Sequence, residues 1–407
     1  MTAFHLTIIW VRPDHYLWSQ VYPTLPEKGR QWMDLARRFH PNTLTARRGV
    51  WKTPWPMAVH PQLEMPTYDP KFSKSFAEVS DQRATEVRDI IRQGKKVALY
   101  YSGGIDSTVC ATALLKMLTP EELKQVAFCC SINSATENPV FFDRYIRGKM
   151  TIFDSSKNQY NDVIDKGYMP ITADAGDDIF GTEQATQFYF SYARLVDRLS
   201  GAARTKLALL RDNPKLMELP YRQFVDLLIP FFSPTDIDAN HSRQVGEWFY
   251  NKLTANIATS GIPLYSLHDL FWWLIFNLRF THCSLRGPLL YFRGDDVRSA
   301  IEKYIINWFN TPEYQRWSMV NNNNGQKIRK PASTHYKWAA RSYIHEFDRN
   351  DWYFRYKIKS VSLNQLIRNK RDSTADLFAL DANYRRYWVH EPGVQGLIED
   401  GLHSFAE

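Results

Sequence analysis

The sequence predicts an α/β protein: a parallel-sheet core preceded by an extended N-terminal segment and followed by a large, mostly helical elaboration. Three observations lead there. A short apolar run, Val97 to Tyr101, stops at Gly103–Gly104, passes at once into an apolar helical stripe, and is followed by a second apolar run. From about residue 188 the pattern is helical almost to the end. The composition, 44% hydrophobic and 23% charged over 407 residues, is that of a folded chain and excludes wholesale disorder, collagen and a coiled-coil rod. A length of this order suggests about two or three domain-sized units.

Residues 1–72 read as an extension with one or two strands. Leu6 to Val11 is apolar and β-branched, and the proline- and tryptophan-rich stretch from Trp51 to Pro70 cannot sustain a helix. From Phe76 to Gln93 the apolar positions recur at helical spacing, and Gly94 supplies the stop. The strand Val97 to Tyr101 follows, then a helix running from Ser107 through Val109, Leu114 and Met117 up to Pro120. Further strands are expected at Val126 to Ile132 and at Met150 to Phe153. Strand, glycine turn, helix, strand is a βαβ unit, whose crossover should be right-handed. Downstream, the segments SYARLVDRLSG, TKLALLRD, YRQFVDLLI, SRQVGEWFYNKLTANIA, LHDLFWWLIFNLRF and DVRSAIEKYIINWF all read as helices. Residues 73–190 form the core of this reading, and 191–407 its helical part.

The chain carries 51 Lys+Arg against 43 Asp+Glu, a formal net charge of +8. Such an excess suits anionic partners, with nucleotide phosphate and nucleic acid both compatible. Cys110, Cys129, Cys130 and Cys283 are too few and too scattered for a disulfide framework, which points to a reduced, cytoplasmic setting. No signal peptide is read at the start, where Arg12 and Asp14 interrupt the apolar run. The most apolar stretch, Asp269 to Phe280, is far shorter than the ~20 residues of a membrane span and reads as a core helix.

The strongest chemical signal is Ser102-Gly103-Gly104-Ile105-Asp106-Ser107 at the strand-to-helix junction. Two glycines let the backbone turn tightly and approach a ligand. Successive N–H groups and a helix N-terminus then present partial positive charge to phosphate, with Ser102 and Ser107 adding hydroxyls. Asp106 would repel that phosphate unless a divalent cation sat between them, so it predicts Mg²⁺. Neither GxxxxGK[ST] nor GxGxxG occurs, which excludes the kinase and GTPase loop and the dinucleotide fingerprint. A second cluster, Asp174-Ala175-Gly176-Asp177-Asp178, gathers three carboxylates around a glycine turn. Carboxylates from separate βα loops are a common clamp for a magnesium triphosphate, and the DxDxDG rhythm of a calcium loop is absent.

SGGIDS resembles the SGGxDS pyrophosphate loop of the ATP-pyrophosphatase (PP-loop) superfamily, whose members cleave ATP between its α- and β-phosphates and usually adenylate a substrate. The segment Ile171 to Gly181 is similar to the SGEGxDExFGG stretch of asparagine synthetases and their relatives, the β-lactam synthetases and lasso-peptide cyclases. A third match joins Tyr336-Lys337-Trp338-Ala339-Ala340-Arg341 to Trp352–Ser360, similar to the family's KxxLR helix and WRxK segment. The resemblance spans roughly residues 75 to 365 and implies an asparagine-synthetase-like domain over 73–407, with 73–190 its nucleotide-binding core.

By this resemblance Ser102, Gly103, Gly104, Asp106 and Ser107 hold the nucleotide phosphates, and Ile132 and Ala173 lie by the nucleoside. Asp106 and Asp177 ligate magnesium. Asp174, in place of the family's glutamate, is the reactive carboxylate. Lys357 is the phosphate-facing cation, with Arg355 and Lys359 as alternatives, and Asp174 or Tyr356 accepts the amine proton. The implied cofactors are ATP and Mg²⁺. The implied partners are a small-molecule carboxylate and an amine or ammonia. About 72 residues before the domain leave no room for the family's glutaminase, so ammonia or an amine would supply nitrogen. Only about eighteen residues separate Phe153 from Ile171, where the family places a substrate-lining segment and a helix. Two other readings remain: a PP-loop enzyme modifying an RNA or DNA base, with the 13 tryptophans and Arg368 to Arg371 as its nucleic-acid face, and a non-catalytic nucleotide-binding protein.

Overall fold

The computed structural model describes residues 6–8, 27, 47–48, 51–52, 57–59, 63–155, 157–181, 199–212, 214–233, 239–281, 283–284, 303–322, 327 and 336–357. The chain divides into two compact units, each assembled from separated stretches: a sheet unit (74–173, 298–308 and 333–407) and a helical unit (1–73, 174–297 and 309–332).

The sheet unit begins with helix α1, Phe76–Arg92. Ser75 caps it in a full capping box with Glu78, and Phe76, Val79, Ala84, Val87 and Ile91 form the buried stripe that the spacing predicts. Strand β1 is Lys96–Tyr100, one residue earlier than expected at each end. Helix α2, Ile105–Met117, is buried on almost every side, and α1 packs against it. Strand β2 is Val126–Cys130, and helix α3, Ile132–Glu137, follows directly. Strand β3 is Thr151–Asp154, helix α4 Tyr160–Asp165 and strand β4 Tyr168–Thr172.

Two corrections follow. The second strand stops at Cys130, because Ser131 accepts a hydrogen bond from the Ser134 N–H and opens a helix, so Ile132 lies in a first helical turn rather than at a strand end. The eighteen residues after Phe153 hold both a short helix, α4, and all of strand β4 but its last residue, Thr172.

A fifth strand, β5 at Ile306–Asn307, comes from DVRSAIEKYIINWF, which reads as helix. It pairs with the free flank of β4, Ile306 opposite Ile171 and Asn307 opposite Thr172, and that tertiary pairing overrides local propensity. All five strands run parallel in the order β3-β2-β1-β4-β5. Both faces are covered, as a parallel sheet requires. Ala98, Ala127 and Cys129 share one face with Val163 of α4, while the alternate positions Val97, Leu99, Val126 and Phe128 are equally buried. Helices α5, Trp338–Asp348, and α6, Asp351–Tyr356, complete the unit, with α5 packed on α1 and α2.

In the helical unit, Met57–Val59 pairs parallel with Leu6–Ile8 and antiparallel with Trp51–Lys52. Helices Gly201–Asp212, Val225–Phe232, Ala239–Ala258, Leu267–Leu278 and Pro312–Val320 build its core. Leu267–Leu278 is buried on all sides, the core helix that its sequence suggests. Among the described residues no helix is long and apolar enough to cross a membrane. SYARLVDRL, the basic Ile328–Pro331 and Arg368–Arg371 lie outside the described residues, apart from Leu199.

Candidate functional site

The strand order places the sheet's topological switch point between β1 and β4, since the chain first moves outward through β2 and β3 and then returns to the other side. In open parallel sheets, ligands bind outside the carboxyl ends of the strands at that point. The Ser102–Ser107 loop leaves the carboxyl end of β1, and Ala173 leaves the same edge of β4.

The loop is held by its own hydroxyls. The Ser102 N–H donates to Ser107 Oγ at 3.1 Å, and the two Oγ atoms lie 3.0 Å apart. The Gly104 N–H donates to Ser102 Oγ at 3.3 Å, and Thr108 Oγ1 donates to the Gly104 carbonyl at 2.8 Å. Gly103 adopts φ +73°, and a Cβ there would lie 2.7 Å from Glu137 Cβ, so only glycine makes the bend. Gly104 is the N-cap of α2 and offers no side-chain cap, whereas α1, α3 and α6 are each capped by a serine or asparagine. A thirteen-residue helix thus directs its first N–H groups at the carboxyl edge of the sheet with no side-chain cap, the arrangement that suits an anion.

Two ammonium groups reach this loop from the end of the described chain. Lys337, the left-handed N-cap of α5 (φ +52°), places Nζ 2.6 and 2.5 Å from the two carboxylate oxygens of Asp106. Lys357, at the C-cap of α6, pairs with Glu137 at the end of α3. Both lysines are buried, at 3% and 5% exposure. Arg355 projects outward, its side chain 62% exposed. Burial pulls the Lys357 ammonium below the ordinary lysine range; Glu137 opposes that pull, and Arg341 and Lys337 add to it.

Arg341, fully buried, organises the segment that carries Lys357. Its guanidinium donates to the carbonyls of Tyr336, Tyr353, Phe354 and Lys357, a task for a planar five-donor group. Tyr353 then donates from its hydroxyl to the Gly103 carbonyl at 3.1 Å. Burial pushes the Tyr353 and Tyr101 hydroxyls well above the usual tyrosine range, so both stay protonated.

The predicted residues Ser102, Gly103, Gly104, Asp106 and Ser107 therefore share one loop, Lys357 lies beside it, and Ile132 and Ala173 follow the two strands that flank β1. Asp174 and Asp177 belong to the helical unit. There Ala175 (φ +70°) starts the short helix Gly176–Phe180, and Asp178, fully buried, faces Arg279 at 3.5 Å. The third carboxylate of the acidic cluster is thus a structural counter-ion, and its charge also faces the buried Arg47. Sequence reasoning passed over Glu137 entirely, and it quoted Tyr353 within a motif without a role. It quoted Lys337 and Arg341 within a motif without giving either a role.

The residues fit phosphate: an uncapped helix start, a glycine bend and two buried ammonium groups. For magnesium, Asp106 offers one carboxylate that Lys337 already neutralises, and among the described residues no group of three or more His, Cys, Asp or Glu side chains is gathered to hold a metal. The chain matches no protein-family model, no curated protein and no solved structure. What the fold defines is an α/β protein with a five-stranded, all-parallel sheet.

Proposed function

We propose that the protein is an ATP-dependent, AMP- and pyrophosphate-forming amide ligase of the PP-loop type, which adenylates a substrate carboxylate and passes it to ammonia or an amine. The observation that carries this reading is the Ser102–Ser107 loop itself. It opens an uncapped helix at the switch point of a parallel sheet, with Lys337 and Lys357 buried beside it.

The backbone N–H groups at the start of α2 bind the terminal phosphates, and Ser102 and Ser107 keep those groups aimed. Lys357 and Lys337 oppose the charge that builds on the leaving pyrophosphate, a fixed electrostatic contribution from two buried ammonium groups. Ile132 and Ala173 line the nucleoside side. Magnesium, which the resemblance assigns to Asp106, would need that carboxylate to release Lys337 before it could ligate the ion. The resemblance assigns Asp177 to the same ion and Asp174 to the reacting centre, and substitution of each tests those roles separately.

The deciding experiment incubates the full chain with ATP and a panel of carboxylates and amines and identifies the nucleotide product. AMP with pyrophosphate supports the ligase. ADP overturns it.

A further inference from the structure

The Glu137–Lys357 pair is not accounted for by packing alone. Glu137 ends a six-residue helix, is 6% exposed, and has no role in the sequence motifs. Its side chain touches Lys357 on one side and the Gly103 bend on the other, where its Cβ and Cγ would lie 2.7 and 3.1 Å from any Cβ placed on that glycine. The same bend receives the hydroxyl of Tyr353, one turn before Lys357. Three segments distant in sequence therefore converge on one backbone position: the loop, the end of α3, and α6.

Burying an ammonium costs far more than leaving it in water unless a counter-charge sits beside it. Lys357 needs such a partner to remain a cation at all. Among the described residues, the charged groups that act on it are Glu137 from α3 and Lys337 and Arg341 from α5 and its cap, while Tyr101 and Tyr353 feel the charge of Glu137. Glu137 is the one acid in that set. The other two charges are cations that push Lys357 towards neutrality, and the tyrosines stay uncharged.

We infer that Glu137 is the positioning residue of the phosphate site: it holds the Lys357 ammonium, charged and fixed, against the Gly103 bend, where it meets the phosphate of a nucleotide. This rests on the phosphate-binding reading of the loop. Glu137 acts through Lys357 and touches no substrate itself. Its acidic character, not its size, is what the site requires.

The test follows the ¹³Cε resonance of Lys357 in the full chain, assigned by its loss in K357M, through a pH titration. Binding of inorganic pyrophosphate is measured beside it. In the native protein the Lys357 signal keeps its ammonium shift through neutral pH, because Glu137 opposes the pull of burial. In Glu137→Gln it titrates at least about one unit lower, and pyrophosphate affinity falls by about tenfold or more where the native ammonium is still charged but recovers as the pH drops. Glu137→Asp restores the native titration in part. The double variant Glu137→Gln/Lys357→Met, which leaves no lone buried charge, folds, binds pyrophosphate weakly, and shows no such recovery. An unchanged Lys357 titration in Glu137→Gln overturns the inference whatever pyrophosphate does. A shifted titration with no pyrophosphate bound by the native protein overturns the phosphate reading beneath it.

Discussion

The Lys337 ammonium grips both carboxylate oxygens of Asp106, at 2.6 and 2.5 Å, across 231 positions of sequence. The carboxylate that seemed to demand a metal in a phosphate loop has a cation from the protein itself. Lys337→Met should leave Asp106 unneutralised beside the helix start, costing about 2 kcal/mol of stability as a lost charged hydrogen bond. AMP formation should fall by about a hundredfold or more, the scale of losing one fixed electrostatic contact. Thermal unfolding and product assays read the two effects separately, and unaltered turnover would remove Lys337 from the site.

Gly103 and Gly94 form a matched pair of substitutions. Both have positive φ, +73° and +85°, but nothing lies within 4 Å of a Cβ on Gly94, while one on Gly103 meets Ser134 and Glu137. Gly94→Ala should cost about 1–2 kcal/mol, the strain of the left-handed region alone. Gly103→Ala should cost more and also abolish pyrophosphate binding, since the loop itself must shift. Chemical denaturation and calorimetry check both.

Tyr353→Phe removes only the hydroxyl that reaches the Gly103 carbonyl. About 1 kcal/mol of stability is at stake. The kinetic effect should appear in KM for ATP more than in kcat, because the loop is loosened and its donors remain. Arg341→Lys, by contrast, leaves most of four carbonyls without their donor and should release the segment that carries Lys357. Hydrogen exchange over residues 351–357 would then rise sharply while β1 and β2 stay protected.

Asp178 and Asp177 are neighbours with opposite expectations. Asp178→Asn leaves Arg279 buried without its partner and should cost about 3–5 kcal/mol. Asp177, partly exposed, should tolerate asparagine within about 1 kcal/mol. Equal losses of stability would contradict the division of roles between them.

All four cysteines are buried. Burial pushes the Cys129 thiol up to about 12, opposed weakly by its hydrogen bond with Tyr100 and by Lys166, and pushes Cys110 and Cys130 well above the usual thiol range. The folded state thus keeps these protons after the unfolded chain has lost them. Their contribution is fully present below about pH 9 and is lost as the pH climbs towards 12. Unfolding free energy should decline above pH 9, and less steeply in Cys129→Ala. The native protein should resist a thiol reagent at pH 8 yet react at all four cysteines once denatured.

Much of this was legible in the chain itself. Periodicity located α1, and apolar runs located α2, the first three strands and the core helix Leu267–Leu278, because a helical stripe and a short apolar run are both local features of the sequence. The glycines and serines of the loop marked the strand-to-helix bend for the same local reason. What only the tertiary structure decided is every pairing across distance. β5 became a strand because β4 offered an open edge, and Lys337 and Lys357 became buried because Asp106 and Glu137 stood where their segments folded back. Asp178 separated from Asp177 because one turn points it at Arg279. Local pattern records which groups can carry charge or bury surface; which charges meet depends on chain closure over hundreds of residues, and no spacing rule encodes that.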